Sequence, residues 1–391
     1  MPSKNIKLFY LLETILSLLS GLILPVYVVY FRHYGVTLFQ VALLAAVFEA
    51  TIILFEIPTG LFADRFGRRL STSVGFFGFL ISGIIFLSVR NFAGFLAAEI
   101  VFGIAETFIS GALEALAVDS LKQTEKDTYL PRLFSNRTIF RTSAMVLSMV
   151  AGGFLASRFL PYLFAPFIIL AILGTIFSFY LTEPPRNLIL GSGERTRKGI
   201  SAVFHLMNSS KIIMAIFVVG IFSNLAFEGV DQYWQVLFSE MRGIGISYFG
   251  LMTAIGALIV ITIMRWAERH FDNLKYYLLT CFFLLAAAIF ASVRFSLYPA
   301  VVGIIAYFVF KELISPALST HLNRRFAGTD RATFLSSYNL CCSVGEVAAG
   351  IAVGFLAGKL GVTFVFYFSA AVAMIVPMLF MVIKRKISIN E

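Results

Sequence analysis

Twelve stretches of this chain are each apolar over roughly 20 residues, the length a helix needs to cross a hydrocarbon layer. They fall at approximately 8–31, 38–62, 70–89, 93–118, 134–157, 161–181, 212–238, 247–265, 276–293, 297–320, 334–357 and 362–383, each bounded by charges, Gly or Pro. A water-soluble core cannot hide so many such segments in 391 residues, of which 59% are hydrophobic and only 13% charged. With lipid as the solvent, backbone polar groups must be satisfied inside each segment, so the segments are helices. The expected fold is an all-α integral membrane protein with twelve transmembrane helices.

A formal charge of +10 would point to nucleic acid in a soluble protein, but here the placement of the charges decides otherwise. With the amino terminus in the cytoplasm, twenty-four of the 31 Lys and Arg lie on the inner side, among them Lys4, Lys7, Arg65, Arg68, Arg69, Arg195, Arg197 and Lys198. Six lie outside, and Lys311 is the one mid-membrane lysine. That asymmetry is the positive-inside signal for both termini in the cytoplasm. A multi-pass protein of a prokaryotic cytoplasmic membrane follows, with no nucleic-acid partner. The first apolar stretch is longer than a signal-peptide core and lacks a small-residue cleavage site after it, so it is expected to be the first helix. Cys281, Cys341 and Cys342 fall within spans and form neither a metal spacing nor a disulfide pattern, so no metal or cofactor is expected.

Residues 182–211 form the longest hydrophilic stretch, with Pro184-Pro185, Gly191-Ser192-Gly193 and a basic cluster. This composition marks a linker. Its part from Ile200 to Met207 suits either a short amphipathic surface helix or disorder. The linker separates a bundle of six spans, residues 1–181, from a second of six, residues 212–391. The halves repeat weakly: Ala151-Gly152-Gly153-Phe154-Leu155-Ala156 resembles Ala352-Val353-Gly354-Phe355-Leu356-Ala357, and Ala63-Asp64-Arg65 resembles Ala267-Glu268-Arg269. In the second of these copies Phe271 stands where the first has Gly67.

Between the second and third spans lies Gly60-Leu61-Phe62-Ala63-Asp64-Arg65-Phe66-Gly67-Arg68-Arg69. A charged turn of this kind is excluded from hydrocarbon. Read from the residues, Gly60 permits close helix approach, Gly67 permits a tight turn, and the arginines anchor the cytoplasmic face. The run resembles the signature loop of the major facilitator superfamily, G-x-x-x-D-R-x-G-R-R/K, with every fixed position filled. The resemblance implies two six-helix bundles related by an axis along the membrane normal, with a substrate site near the midplane. It also implies a cytoplasmic gate built from Gly60, Asp64, Arg65, Gly67, Arg68, Arg69 and Asp119. Asp64 would engage the positive amino end of the eleventh helix, and a loop arginine would pair with Asp119 at the close of the fourth.

Ionisable side chains are missing from the apolar cores of the third, sixth, ninth and twelfth spans, which can therefore face lipid. The other spans carry Glu13, Glu49, Glu56, Glu99, Glu106, Glu114, Arg137, Arg141, Glu228, Asp231, Lys311, Glu312 and Glu346. A charge at bilayer depth costs about 2.5 to 3.5 kcal/mol on insertion scales, so these groups must face water, one another or a substrate. Each acid is either a helix-packing contact or a proton or cation site. By depth, Glu106, Glu228, Asp231 and Glu346 stand first for proton coupling or substrate binding, with Glu49 also near mid-depth. Lys311 needs an acid or an anionic ligand, and Glu346 or Glu228 is the expected acid.

Drug exporters of the superfamily carry Arg four residues before a Gly in the fourth helix, where this chain has Glu99 ahead of Gly103. Their fifth-helix antiporter motif G-P-x-x-G-G reads Ser148-Met149-Val150-Ala151-Gly152-Gly153 here, with the closing glycines but without the Gly-Pro. The expected function is a monomeric secondary transporter of small molecules, a proton-coupled exporter of hydrophobic or cationic compounds. The alternatives are a proton-coupled or facilitative carrier for a specific metabolite or lipid-like molecule, and a non-transporting receptor or scaffold. An enzyme is not expected, since no nucleophile–base set, metal site or phosphate loop is found.

Overall fold

All twelve apolar windows are helical in the computed structural model of the chain, which describes residues 4–122, 130–183, 211–325 and 330–388. Of these residues, Lys4–Ile23 (α1) and Tyr27–His33 (α2) make the first span, Leu38–Phe66 (α3) the second and Arg68–Ser88 (α4) the third. Phe92–Ile109 (α5) and Ala112–Lys122 (α6) make the fourth, Leu130–Phe159 (α7) the fifth and Phe164–Ser178 (α8) the sixth. Spans seven to twelve are Lys211–Val236 (α9), Ser247–Glu268 (α10), Leu274–Arg294 (α11), Leu297–Arg325 (α12), Asp330–Leu360 (α13) and Val362–Ser388 (α14). Eleven are long and apolar enough to cross a membrane, and α8 is a shorter apolar helix in the sixth place.

Three spans differ from the sequence expectation. The first breaks at Leu24-Pro25-Val26, because Pro25 has no N–H to continue the ladder. The fourth breaks at Ser110-Gly111, where Gly111 takes φ +74°, a conformation closed to most side chains. The sixth is trimmed to fifteen residues by the 3₁₀ turn Leu160–Tyr162 ahead of it. Apart from Thr182, Glu183 and Lys211, the expected linker and its candidate amphipathic helix lie outside the described residues.

The chain forms two compact units. The first comprises Met1–Val36, Val47–Leu190 and Gly245–Ala254, and the second Thr37–Ala46, Gly191–Ile244 and Ile255–Glu391.

In the first unit α1 lies against α7 along a stripe of small residues, Ala144, Ser148, Gly152 and Ala156, all buried and spaced four apart. Small side chains at this spacing let backbones approach closely in lipid, where no hydrophobic force drives helices together. The Ser148 hydroxyl donates to the Leu18 carbonyl. A methyl group at Gly152 would collide with the Leu22 carbonyl, and one at Gly21 would lie 2.7 Å from that of Met145. Beyond this stripe, Tyr30, Phe31, Phe86, Phe95 and Phe164 form an aromatic core, closed by a 2.7 Å hydrogen bond from the Tyr30 hydroxyl to the Phe86 carbonyl.

The second unit uses the same device. Gly229 of α9 takes Val365 and Ser369 of α14 against its backbone, and Gly303 of α12 lies against the Ala288 carbonyl of α11. The repeated glycines of the two halves also do the same work. Gly153 approaches Gly250 within the first unit, and Gly354 approaches Ala42 within the second. Many large apolar side chains are exposed, Leu54 at 70%, Leu147 at 69% and Tyr298 at 84%, as expected of a chain solvated by acyl chains.

Gly152→Val is expected to force α1 from α7, because its neighbour is backbone and cannot rotate away; overpacking of this kind costs about 1 to 3 kcal/mol or more. Gly60→Ala meets nothing within 4 Å among the described residues and serves as the control. Size-exclusion chromatography and thermal unfolding in detergent should show the first variant aggregated or strongly destabilised and the second unchanged. A wild-type profile for Gly152→Val would contradict this packing.

Candidate functional site

The polar residues of α9 recur at Glu228, Asp231, Gln232 and Gln235, a helical spacing that puts them along one face. Opposite them α12 presents Tyr307 and Lys311, one turn apart. Lys311 Nζ lies 2.5 Å from Asp231 Oδ2, and the Tyr307 hydroxyl donates to Asp231 Oδ1 at 2.9 Å and to the Phe227 carbonyl at 3.0 Å. Asp231 therefore has both oxygens engaged. Lys311 was expected to meet Glu346 or Glu228, and it meets Asp231 instead. The lysine runs beside the Phe227 ring, 5.8 Å from its centroid, which brings its ammonium to Asp231 four residues further along α9.

Behind this pair Glu228 is buried, and it accepts a 2.7 Å hydrogen bond from Gln232 Nε2. Glu346 of α13 faces Glu228. Gly350, one turn along α13, leaves room for both, since a methyl there would lie 3.3 Å from Gln232 Nε2 and 3.6 Å from Glu228 Oε2. Gln232 Oε1 is buried without a hydrogen-bond partner among the described residues. The Lys311 and Asp231 side chains are 31% and 28% exposed, so they border accessible space, with the Glu228 carboxyl enclosed behind them. The cluster holds one cation against three acids and has an unused acceptor. It can bind a proton or an organic cation, and a proton on Asp231 would release Lys311.

The first unit holds a separate network. Glu13 of α1 is 3% exposed and faces Arg137 Nε at 2.8 Å and Arg141 Nε at 3.5 Å, while Arg137 Nη1 donates to Glu114 of α6 at 2.6 Å. The two arginines continue the α7 face that carries Ala144 and Ser148. Glu106 lies near Arg141 and Glu13. Glu99, buried in α5, accepts a 2.6 Å hydrogen bond from the Tyr27 hydroxyl, with Glu49 near the same tyrosine. Thus Glu228, Asp231, Glu346 and Lys311 come together in one unit, and Glu49 and Glu106 belong to the other.

At the charged loop Arg68 pairs with Asp119 at the close of the fourth span. Gly67 adopts φ +116°, which only glycine takes readily, and begins α4. The first free amides of α4 are taken by an acid that the sequence did not suggest: Arg68 N donates to Glu183 Oε1 at 3.0 Å and Arg69 N to Glu183 Oε2 at 2.9 Å. A carboxylate at a helix amino end satisfies orphan donors and complements the dipole. Gly60, expected to permit close approach, has no neighbour within 4 Å of an added methyl among the described residues. Asp64 and Arg65 are exposed, and the chain just ahead of α13, where Asp64 was expected to act, lies outside the described residues. In the second copy of the loop Phe271 is buried against Tyr277, so a hydrophobic plug replaces the glycine turn.

Glu183→Ala is expected to free these two amides, a loss of about 1 kcal/mol for one cap. Hydrogen exchange at Arg68 and Arg69 should accelerate several-fold with the remainder of α4 unchanged. Unaltered exchange would mean that the carboxylate does not hold the helix end.

The Major Facilitator Superfamily profile matches residues 9–311. An MFS-type transporter of Bacillus subtilis (strain 168), YxaM, is 22% identical over 98% of this chain and 97% of its own length. The quinolone resistance protein NorA of Staphylococcus aureus (strain MRSA252) is 22% identical over 89% of each chain. Among solved structures, the nucleoside transporter NupG superposes with a TM-score of 0.83 at 11% identity, over 97% of this chain and 99% of that one. A D-xylose–proton symporter superposes with a TM-score of 0.74 at 16% identity, over 96% and 97%.

Proposed function

The chain belongs to the major facilitator superfamily, a family of membrane transporters, and from that premise we propose that it is a proton-coupled secondary transporter that exports hydrophobic or cationic small molecules. The observation that carries this reading is the acid cluster of Glu228, Asp231 and Glu346 around a single lysine. In the proposed cycle a proton arriving from outside neutralises Asp231, frees Lys311 and changes the charge that the site offers to a cation. Loss of that proton toward the cytoplasm restores the pair. Similarity to the quinolone resistance protein supports export, and the loop charges support cytoplasmic termini. Residues 1–181 and 212–391, joined by 182–211, are the two repeats whose rearrangement exposes the site to each side in turn. Arg68, Asp119 and Glu183 hold the loop that governs the cytoplasmic side.

One observation favours a second reading, a carrier for a specific polar metabolite. Tyr307, Lys311 and the unused Gln232 Oε1 make a directional polar set, where a multidrug site relies on loose apolar contact. Purified transporter in liposomes, tested with a panel of hydrophobic cations and polar metabolites, separates the two. Export predicts several structurally unrelated cations driven against their gradients by protons, and a carrier predicts one metabolite class.

A further inference from the structure

We propose that the junction of α1 and α8 is a binding site for an anionic glycerophospholipid, which seats its phosphate between Lys4 and Lys7 and an acyl chain along Leu8 and Phe177. A groove of about 520 Å³ runs between the start of α1 and the end of α8, lined by Lys4, Lys7, Leu8, Phe177 and Tyr180. Its composition is divided along its length. Lys4 and Lys7 stand three residues apart on one helix face, both exposed, and neither meets a carboxylate among the described residues. The Lys4 ammonium lies 5.8 Å from the centre of the Tyr180 ring. Leu8 and Phe177 make the other end of the groove apolar. Two ammonium groups at one end of a groove whose other end is apolar, at the start of a helix long and apolar enough to span a membrane, complement a lipid phosphate with its chain attached. They do not complement a zwitterion equally, because its own cation offsets the attraction.

The groove is preformed. Asn5, buried between the two lysines, donates from Nδ2 to the Thr182 carbonyl at 2.9 Å and to Ser120 Oγ at 2.9 Å, and its Oδ1 accepts from Thr182 N at 3.0 Å and Thr182 Oγ1 at 2.9 Å. This clamp fixes the chain leaving α8 against the first turn of α1, so a ligand need not order the site. Glu183, the next residue, is the acid that caps α4. A lipid in the groove therefore steadies the segment on which the charged loop depends.

The test uses the full chain purified in detergent, with native mass spectrometry and thermal unfolding during titration with phosphatidylglycerol, phosphatidylcholine or inorganic phosphate. Phosphatidylglycerol should bind and raise the unfolding temperature, and the other two should not. In Lys4→Gln/Lys7→Gln the apparent affinity for phosphatidylglycerol should fall about thirtyfold, the equivalent of about 1 kcal/mol for each basic side chain. Leu8→Trp keeps both charges and fills the groove, and it should also weaken binding. Arg269→Gln/Lys275→Gln, two bases elsewhere on the chain, should leave binding unchanged. Equal affinity in the wild type and the double lysine variant, equal binding of phosphatidylcholine, or a full shift from inorganic phosphate would each overturn the proposal. So would undiminished binding by Leu8→Trp.

Discussion

Asp231→Asn is expected to abolish uphill transport and to lower thermal stability, and Lys311→Met added to it is expected to restore the stability without the transport. The reason lies in the geometry of the pair. Among the described residues Lys311 has one carboxylate within 4 Å, and that carboxylate is otherwise engaged by Tyr307. Removing one partner of a buried pair costs about 3 to 5 kcal/mol, because the other charge is left uncompensated. Both side chains here are about 30% exposed, so solvent reduces the expected loss to about 1 to 3 kcal/mol. Neutralising both removes the orphan charge. A double-mutant cycle on unfolding temperature and on transport separates the two effects. Additive losses of stability would show that the pair does not interact, and retained uphill transport by Asp231→Asn would remove the aspartate from the coupling.

The second large effect is expected in the other unit. Arg137→Met leaves Glu13, 3% exposed, with only Arg141 at 3.5 Å, and releases Glu114 as well. Because the acid is enclosed and keeps only the longer contact to the half-exposed Arg141, the loss approaches that of a buried charge left unpaired, about 3 to 5 kcal/mol. The damage falls on the α1–α7 seam, whose small-residue stripe ends at these arginines. Thermal unfolding and protease sensitivity should report a much weakened protein, and Glu13→Gln/Arg137→Met should recover most of the loss. Wild-type stability in the single variant would show that water, and not Arg137, compensates Glu13.

Much of this architecture was legible because lipid leaves few alternatives. Twelve apolar windows correspond to eleven helices long enough to span and the shorter α8, and most of the acids and bases within them form the polar networks, while Glu56 and Glu312 are exposed. The loop pattern likewise pointed to an arginine pairing with Asp119, and Arg68 does so. Pair identity was harder to read. Lys311 could reach acids on several helices, and the choice of Asp231 depends on the run of its side chain past Phe227, which no spacing encodes. Glu183 escaped notice because it lies 115 positions from Arg68 and sits at the start of a stretch that reads as linker. Tyr307 was accessible to sequence reasoning, since it stands one turn before Lys311 on the same face. Gly153 and Gly354, placed alike in the two similar stretches of sequence, each mark a close approach between helices.

Proton drive through the acid cluster around Lys311 is checked by reconstituting the wild type, Asp231→Asn, Glu228→Gln and Glu346→Gln in liposomes and following a transported cation while a proton gradient is imposed or collapsed. The wild type should accumulate the cation on the gradient, Asp231→Asn and at least one of the glutamate variants should lose this, and downhill exchange should survive in the same preparations. Accumulation that persists in all three variants, or that is indifferent to the gradient in the wild type, would contradict proton drive through the cluster.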